Sequence, residues 1–576
     1  MKKTNFLLGG ALLLVALFTT SCDKLMSKLD NPVSPYLELE QTTANLEYGQ
    51  SITIKPTSIN DQNPIYTYES LNPEIATVDE ATGVVTAVDY EGEATIVAKI
   101  AATENYQAGQ TEFKVTIDTP EEKTPLSFEA VEDCKITVKF LGNPGLEKPI
   151  VAISNGVKQE ITETTEIEVV KGQKVRFFSE NAATAKGYDN NLVTILANEK
   201  ECYIYGNVMS MVTPAGSEFK DNTAFTAKYA LAGLFYKPSG YSNKIISHPT
   251  KKLLLPATTL TDYCYDNLFN GCSVLDAAPE LPAEEMKASC YFGMFKSCKK
   301  LAEAPELKST ILADACYRQM FYGCEALTTA PTLPATNLAS NCYYSMFRGC
   351  INLTAAPELP ATTVLGSSYR EMFYGCTSLT AAPELPATSV RNNSYYAMFR
   401  GCTNLATAPA LPAKDLKGDN ASACYREMFY GCTSLTTAPV IAATSLASNC
   451  YYSMFRGCTS LTTPPELPVL SLQGHCYREM FYGCTSLTAT PSLPASIIST
   501  RSYQDMFNGC SNLSLVMCNA TSGMKTGSNT SNWLKGVKST GNFFKNSAAG
   551  TAESGDDVWN IDNVGGIPAG WNVYNL

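Results

Sequence analysis

The residues with chemistry to offer are, first, the cysteines. Thiols can hold metal, oxidise to disulfides or act as nucleophiles, and this chain of 576 residues has 21 of them. Ten occupy the last cysteine of one recurring phrase, C-Y-x-x-M-F-x-G-C-x-x-L-x-x-A-P-x-L-P-A, at 272, 298, 324, 350, 376, 402, 432, 458, 484 and 510. Every step is 26 residues except that from Cys402 to Cys432, which is 30. In seven copies a second cysteine stands eight residues earlier, and in the other three Ser368, Ser394 and Ser502 take its place. Bridging within each copy would leave Cys376, Cys402 and Cys510 without partners. On a helix, moreover, an i, i+8 pair is ~12 Å apart along the axis, too far for a disulfide. The spacing is not that of a four-ligand zinc site, and His248 and His475 are the only histidines. The expectation is a ladder of buried thiols packing as small apolar groups, with no metal and no cofactor. Cys134 and Cys202, outside the phrase, form a pair for which a bridge and two free thiols both remain open.

Arginine and tyrosine supply a second pattern. Two positions per copy, four residues apart, alternate between them in opposite phase. The first reads Arg318, Tyr344, Arg370, Tyr396, Arg426, Tyr452, Arg478; the second reads Tyr322, Arg348, Tyr374, Arg400, Tyr430, Arg456, Tyr482. If copies stack in register, each interior arginine lies between two tyrosines of neighbouring copies. That predicts an exposed cation–π checkerboard worth about 0.5–1 kcal/mol per contact. Duplication of a 52-residue unit, with no joint role for these side chains, is the competing account.

No catalytic constellation accompanies these patterns. Neither histidine stands in a recognisable relation to a serine or cysteine nucleophile, and there is no phosphate loop or dinucleotide fingerprint. Glu358, Glu384 and Glu466 recur with the repeat and read as surface decoration. A net charge of −12 with only 17% charged residues gives nucleic acid nothing to bind. The reading is a protein that is not an enzyme.

The elements that position these residues follow from the phrase itself. Cys342, Met346 and Cys350 at i, i+4, i+8, with Tyr343 and Phe347 beside them, predict a helix of about two turns, ended by Gly349. Leu353 to Leu359 reads as short and extended, with Pro357 and Pro360 at a corner. A fixed period of this length marks a solenoid in which each repeat depends on its neighbours. The four extra residues fit in the polar run from Lys414 to Asn420, where a loop can bulge.

Residues such as Tyr343-Tyr344-Ser345-Met346-Phe347-Arg348-Gly349-Cys350, and the Leu-Pro-Ala after each copy, carry a resemblance. The unit resembles the BspA-type leucine-rich repeat of bacterial surface proteins, especially the cysteine-containing variety of Bacteroides-like lipoproteins. That resemblance implies an α/β leucine-rich-repeat solenoid with terminal caps and attachment at a cell surface.

The rest of the chain reads as a stalk. Residues 1–22 look like an export signal: Lys2-Lys3, an apolar run from Phe6 to Phe18 too short to span a membrane, and Thr19-Thr20-Ser21-Cys22, which resembles a lipobox with Cys22 lipidated. An ordinary cleaved signal is the alternative. Residues 23–36 read as a tether. Residues 37–118 alternate as strands, and Asn72 to Val88 resembles the group 2 bacterial immunoglobulin-like domain, a β-sandwich that implies a spacer. Residues 126–224 read as a second small β-domain. The array takes 225–517, with a degenerate first coil before the ten repeats, and 518–576 form a cap. The cap holds Trp533, Trp559 and Trp571, which either cover the last coil or offer a carbohydrate-stacking site. Together these features describe a monomeric multidomain envelope protein, lipid-anchored in the outer membrane and surface-exposed. Its array would be an adhesion or recognition surface for an extracellular protein or glycan. A scaffold without specific ligand, and a glycan-binding accessory lipoprotein, are the alternatives.

Overall fold

The computed structural model describes residues 33–58, 64–104, 106–187, 191–214, 217–417, 421–524, 528–551, 558–559, 561 and 565–576. Cys22 and most of the tether lie outside them, as do 418–420 of the insertion. The chain divides into two compact units, Met1–Pro120 and Glu121–Leu576.

In the first unit, alternation of apolar and polar residues builds two larger sheets on one core, beside the short pair Leu37–Glu38 and Thr57–Ser58. One sheet runs in the order Thr43–Leu46, Gly109–Asp118, Glu91–Ile100, Tyr66–Ser70; the other is Ser51–Thr53, Val84–Ala87, Ala76–Val78. Leu46, Tyr68, Ile96, Phe113 and Val115 from the first meet Ala76, Val85 and Ala87 from the second. Gly83 is required at its turn: its φ is +69°, and a Cβ there would lie 2.7 Å from the Ile54 carbonyl oxygen.

The second unit begins as antiparallel sheet and becomes a parallel stack. The change happens on one strand, Cys202–Asn207. It pairs antiparallel with Leu126–Ala130 on one side and parallel with Ile245–Ser247 and Leu253–Leu254 on the other. Across the layer, the three-stranded sheet of Thr165–Val169, Cys134–Leu141 and Leu192–Asn198 joins the first coil, where the Ile195 amide donates to the Leu234 carbonyl at 2.7 Å. One apolar core runs without interruption from Leu126 to Trp571. The β-rich segment is thus continuous with the array.

Each coil departs from the expected helix. Among the described residues there is no α-helix; the coil is a succession of overlapping turns. In one coil the amides of Tyr344, Met346, Arg348 and Cys350 donate three residues back, to the carbonyls of Asn341, Tyr343, Ser345 and Phe347 at 3.0–3.2 Å. The intervening amides of Tyr343, Ser345, Phe347 and Gly349 donate to the next coil, to Ser368, Arg370, Met372 and Tyr374 at 2.8–3.1 Å. This alternation needs a left-handed residue every fourth position: Asn341, Ser345 and Gly349 have φ of 57°, 54° and 75°. The apolar face at i, i+4, i+8 is real, but its period is four. Over nine residues, that period is hard to tell from 3.6.

The energetics explain why turns prevail. Two non-glycine left-handed residues per coil cost about 1–2 kcal/mol each. The bonds to the next coil return about 0.5–1.5 kcal/mol apiece, so the backbone terms nearly cancel. Burial decides. Cys342, Tyr343, Met346, Phe347 and Cys350 are all 0–1% exposed. Stacking in register then makes continuous rows, such as Phe321, Phe347 and Phe373 with centroids 5.7 Å apart. The rows continue past the insertion, where Phe399 and Phe429 stack at 5.6 Å.

The same turns extend beyond the ten repeats at both ends. Tyr229 and Gly233 begin them, and Ser528, Asn532 and Gly536 repeat them in the tail. Trp533 stands in the phenylalanine row, its carbonyl accepting from the Phe507 amide at 2.9 Å. A parallel sheet of Leu515–Cys518, Asn542–Lys545 and Asn572–Asn575 closes that end.

Turns and helix differ in how they answer a glycine. Ala315, at φ +56°, should become more stable, by up to about 1 kcal/mol, on Ala315→Gly. In a helix the same change costs about 1 kcal/mol. Urea midpoints of the two proteins, read at constant slope, separate the cases.

Candidate functional site

Outward from the buried rows, the coil period of four brings the second pattern together. Residues 344 and 348 follow the buried positions 342–343 and 346–347, so the turns carry them to the opposite, half-buried side. All fourteen arginines and tyrosines of the pattern lie there, over seven successive coils. Arg370 sits 5.1 Å from the Tyr344 ring centroid and 4.6 Å from that of Tyr396. Arg426 lies 5.5 and 4.4 Å from Tyr396 and Tyr452, and Arg478 lies 5.3 Å from Tyr452. In the second row, Arg348 lies between Tyr322 and Tyr374 at 5.6 and 4.1 Å. Arg400 lies between Tyr374 and Tyr430 at 5.5 and 4.2 Å, and Arg456 between Tyr430 and Tyr482 at 5.7 and 4.0 Å. Arg318 contacts Phe292 at 5.4 Å and Tyr344 at 4.6 Å.

Electrostatics account for the alternation. Guanidinium groups in adjacent coils, ~4.8 Å apart, would repel by roughly 3 kcal/mol at an effective dielectric of 20. An intervening ring doubles that separation and replaces repulsion with attraction.

Beneath the ladder lie three carboxylates that sequence reasoning missed. Glu371, Glu427 and Glu479 are 6–8% exposed. Each joins two arginines of adjacent coils: Glu371 takes Arg348 and Arg370, Glu427 takes Arg400 and Arg426, Glu479 takes Arg456 and Arg478. Ser345 and Ser453 donate to Glu371 and Glu479 at 3.3 and 3.1 Å, and the Tyr452 hydroxyl reaches Glu479 at 3.3 Å. The signal was present in the sequence. Arg-Glu-Met-Phe-Tyr-Gly-Cys recurs every second coil, at Arg370, Arg426 and Arg478. The glutamates that were singled out, Glu358, Glu384 and Glu466, are exposed at the corners.

The ladder ends differently on each side. At the far end Gln504 and Asn508 replace the pair. At the near end stands another cation pair, Lys296 and Arg318, but the residue in the glutamate position is Gln319. Lys296 lies 5.0 Å from the Tyr322 ring centroid and donates to Gln319 Oε1 at 3.0 Å. Burial, with Arg318 and Arg348 close by, holds its ammonium below the usual lysine range. One coil further, burial pushes the Asp266 carboxyl up to about 8, against a hydrogen bond from Asn267.

The remaining candidates do not form a site. Trp533 and Trp559 are fully buried and stack at 5.1 Å, and Trp571 is 7% exposed. The indole N–H of Trp533 donates to the Gly566 carbonyl, and that of Trp571 to the Lys538 carbonyl. Of the two readings of these rings, burial of this extent fits cover for the last coil better than a face open to a sugar. All described cysteines are thiols. Burial pushes Cys264, Cys402 and Cys510 up to about 12, far from a reactive thiolate. The reason given for free thiols, separation along a helix, falls with the helix. Each inner thiol points instead at a backbone carbonyl, as Cys350 does at Phe321 (3.1 Å), and in the outer row the Cys424 thiol meets the Cys450 sulfur at 3.8 Å. Cys134 and Cys202 are also free, and the hydrogen bond between them, then burial, raises the Cys202 thiol. His248 packs against Tyr203 and Tyr205, whereas His475 lies at a turn with φ of 59°. Among the described residues, no group of three or more potential ligands could hold a metal ion. Nor is any helix there long and apolar enough to cross a membrane. A separate cavity of about 470 Å³ opens at the start of the array, walled by Ile204, Leu253, Leu254, Leu255, Pro256 and Pro279 among others.

Neither a scan against protein-family models nor a search of curated proteins finds a match to this chain.

If the buried carboxylates hold the ladder together, Glu427→Gln should lower stability by about 1–3 kcal/mol, since the arginines it joins are partly solvated. Glu384→Gln, at an exposed corner, should change it by less than about 0.5 kcal/mol. Equal shifts in the two thermal midpoints would remove the carboxylates from the account.

Proposed function

We propose that this protein is a non-enzymatic envelope lipoprotein, anchored through Cys22, whose array is a recognition surface for an extracellular protein or glycan. The ladder is the observation that carries this reading. Fourteen half-buried side chains hold fixed positions over seven coils, presenting a long, regular, polar face. Solenoids use such extended surfaces rather than a single pocket.

The finer fold assignments belong to the same proposal. The two-sheet core of the first unit supports an immunoglobulin-like spacer. Short parallel bridges such as Thr329 to Ala355 and Thr437 to Thr463, opposite the stacked turns, support a leucine-rich-repeat solenoid of BspA type. In that arrangement the lipid holds the membrane and the array meets the partner. Burial of the three tryptophans counts against the version in which terminal aromatics capture sugar.

The competing class is a scaffold whose ladder only stiffens the spine. Immobilised full-length protein, offered purified extracellular-matrix proteins and a glycan panel, distinguishes the two. The recognition reading expects saturable binding to at least one member. Silence across both panels would leave the scaffold.

A further inference from the structure

The ladder contains its own comparison. Three cation pairs, Arg348 with Arg370, Arg400 with Arg426 and Arg456 with Arg478, each have a glutamate between them. The fourth pair, Lys296 with Arg318, has Gln319 in that position. Among the described residues neither member of this pair makes an ion pair; Lys296 donates to Gln319 Oε1, and no glutamate reaches Arg318. Its ring contacts hold it in place all the same, with Tyr344 at 4.6 Å and Phe292 at 5.4 Å. Gln319 fills the glutamate's place and accepts from Lys296 at 3.0 Å but carries no charge, so this pair lacks the neutralising anion that the other three have.

We propose that Lys296, Arg318 and Gln319 form a subsite for a carboxylate or sulfate group on an extended acidic polysaccharide, which continues along the ladder. This rests on the recognition reading and names its partner. The missing element is one negative charge with two acceptor oxygens, and either group supplies it. The lateral surroundings select the carrier. Interior rings such as Tyr344, Tyr374, Tyr396 and Tyr430 have a guanidinium on both faces. Nucleic acid bound to an aromatic platform needs those faces for its bases, and an apolar peptide would need them for packing. What remains is a half-buried row of guanidinium groups and tyrosine edges, with the Tyr396 and Tyr452 hydroxyls turned to Glu427 and Glu479 beneath. That row suits a chain of many hydroxyls and regularly spaced anions.

The direct test restores the missing carboxylate. Gln319→Glu copies the sequence of the sibling sites, so it should fold with an unchanged or higher thermal midpoint. Calorimetric titration of the full-length protein would use polygalacturonate and heparin, with dextran, poly-glutamate and single-stranded DNA as controls. Expected is binding of at least one acidic polysaccharide, weaker binding of all three controls, and at least tenfold weaker binding after Gln319→Glu. Affinity should also fall as salt rises. The proposal is overturned if neither acidic polysaccharide binds, if Gln319→Glu leaves affinity unchanged, or if any control binds as tightly. Capture of a matrix protein without polysaccharide binding would sink this subsite and leave the recognition reading standing. Failure of both assays would end both.

Discussion

Every second amide in a coil belongs to the next coil. The donors of Tyr343, Ser345, Phe347 and Gly349 have no partner within their own copy, and the carbonyls of the following coil receive them. A buried amide without a partner costs about 1–3 kcal/mol, so a copy on its own would be left with several such debts. Stacking is therefore a condition of the local conformation as well as its consequence. It also explains why both ends are built differently. The array starts on strand Cys202–Asn207, whose other edge belongs to an antiparallel sheet, and finishes under Trp533 and a short parallel sheet.

Strict registration places like side chains over like, and the chemistry of each row follows. The inner cysteine row needs a small residue that tolerates burial, and a thiol also gives a weak bond to a carbonyl already used by its own coil. The Phe321 carbonyl accepts the Cys324 amide at 3.1 Å and the Cys350 thiol at 3.1 Å. The outer row admits serine because carbonyls lie in reach: Ser394 donates to Arg391 and Ser502 to Ser499, both at 2.6 Å. Charged residues cannot follow the like-over-like rule at one-coil spacing, and the ladder alternates instead.

Much of this was legible in the sequence, and the gaps have physical causes. The period, the inward positions of Cys342, Met346 and Cys350, and the phase of arginine against tyrosine could all be read directly. The conformation of the coil could not, since i, i+4, i+8 fits a helix and a run of turns alike. Gly349 announces a left-handed position, but Ala315, Gln319 and Glu371 occupy such positions too (φ 55–57°). Nothing in their local preferences says so; neighbouring coils impose it. Glu371, Glu427 and Glu479 escaped notice because they appear in alternate copies and acquire meaning only when arginines from adjacent coils meet above them. The tryptophans looked ambiguous because composition does not reveal which face of a ring is covered.

The central claim is that alternate amides are held by the adjacent copy. Residue-resolved hydrogen exchange across Tyr343 to Cys350 tests it most directly. The account predicts that Tyr343, Ser345, Phe347 and Gly349 are protected as strongly as Tyr344, Met346, Arg348 and Cys350, with the same parity in the coils on either side. Fast exchange at the first four beside slow exchange at the second four would show copies folded without their neighbours, and would contradict it.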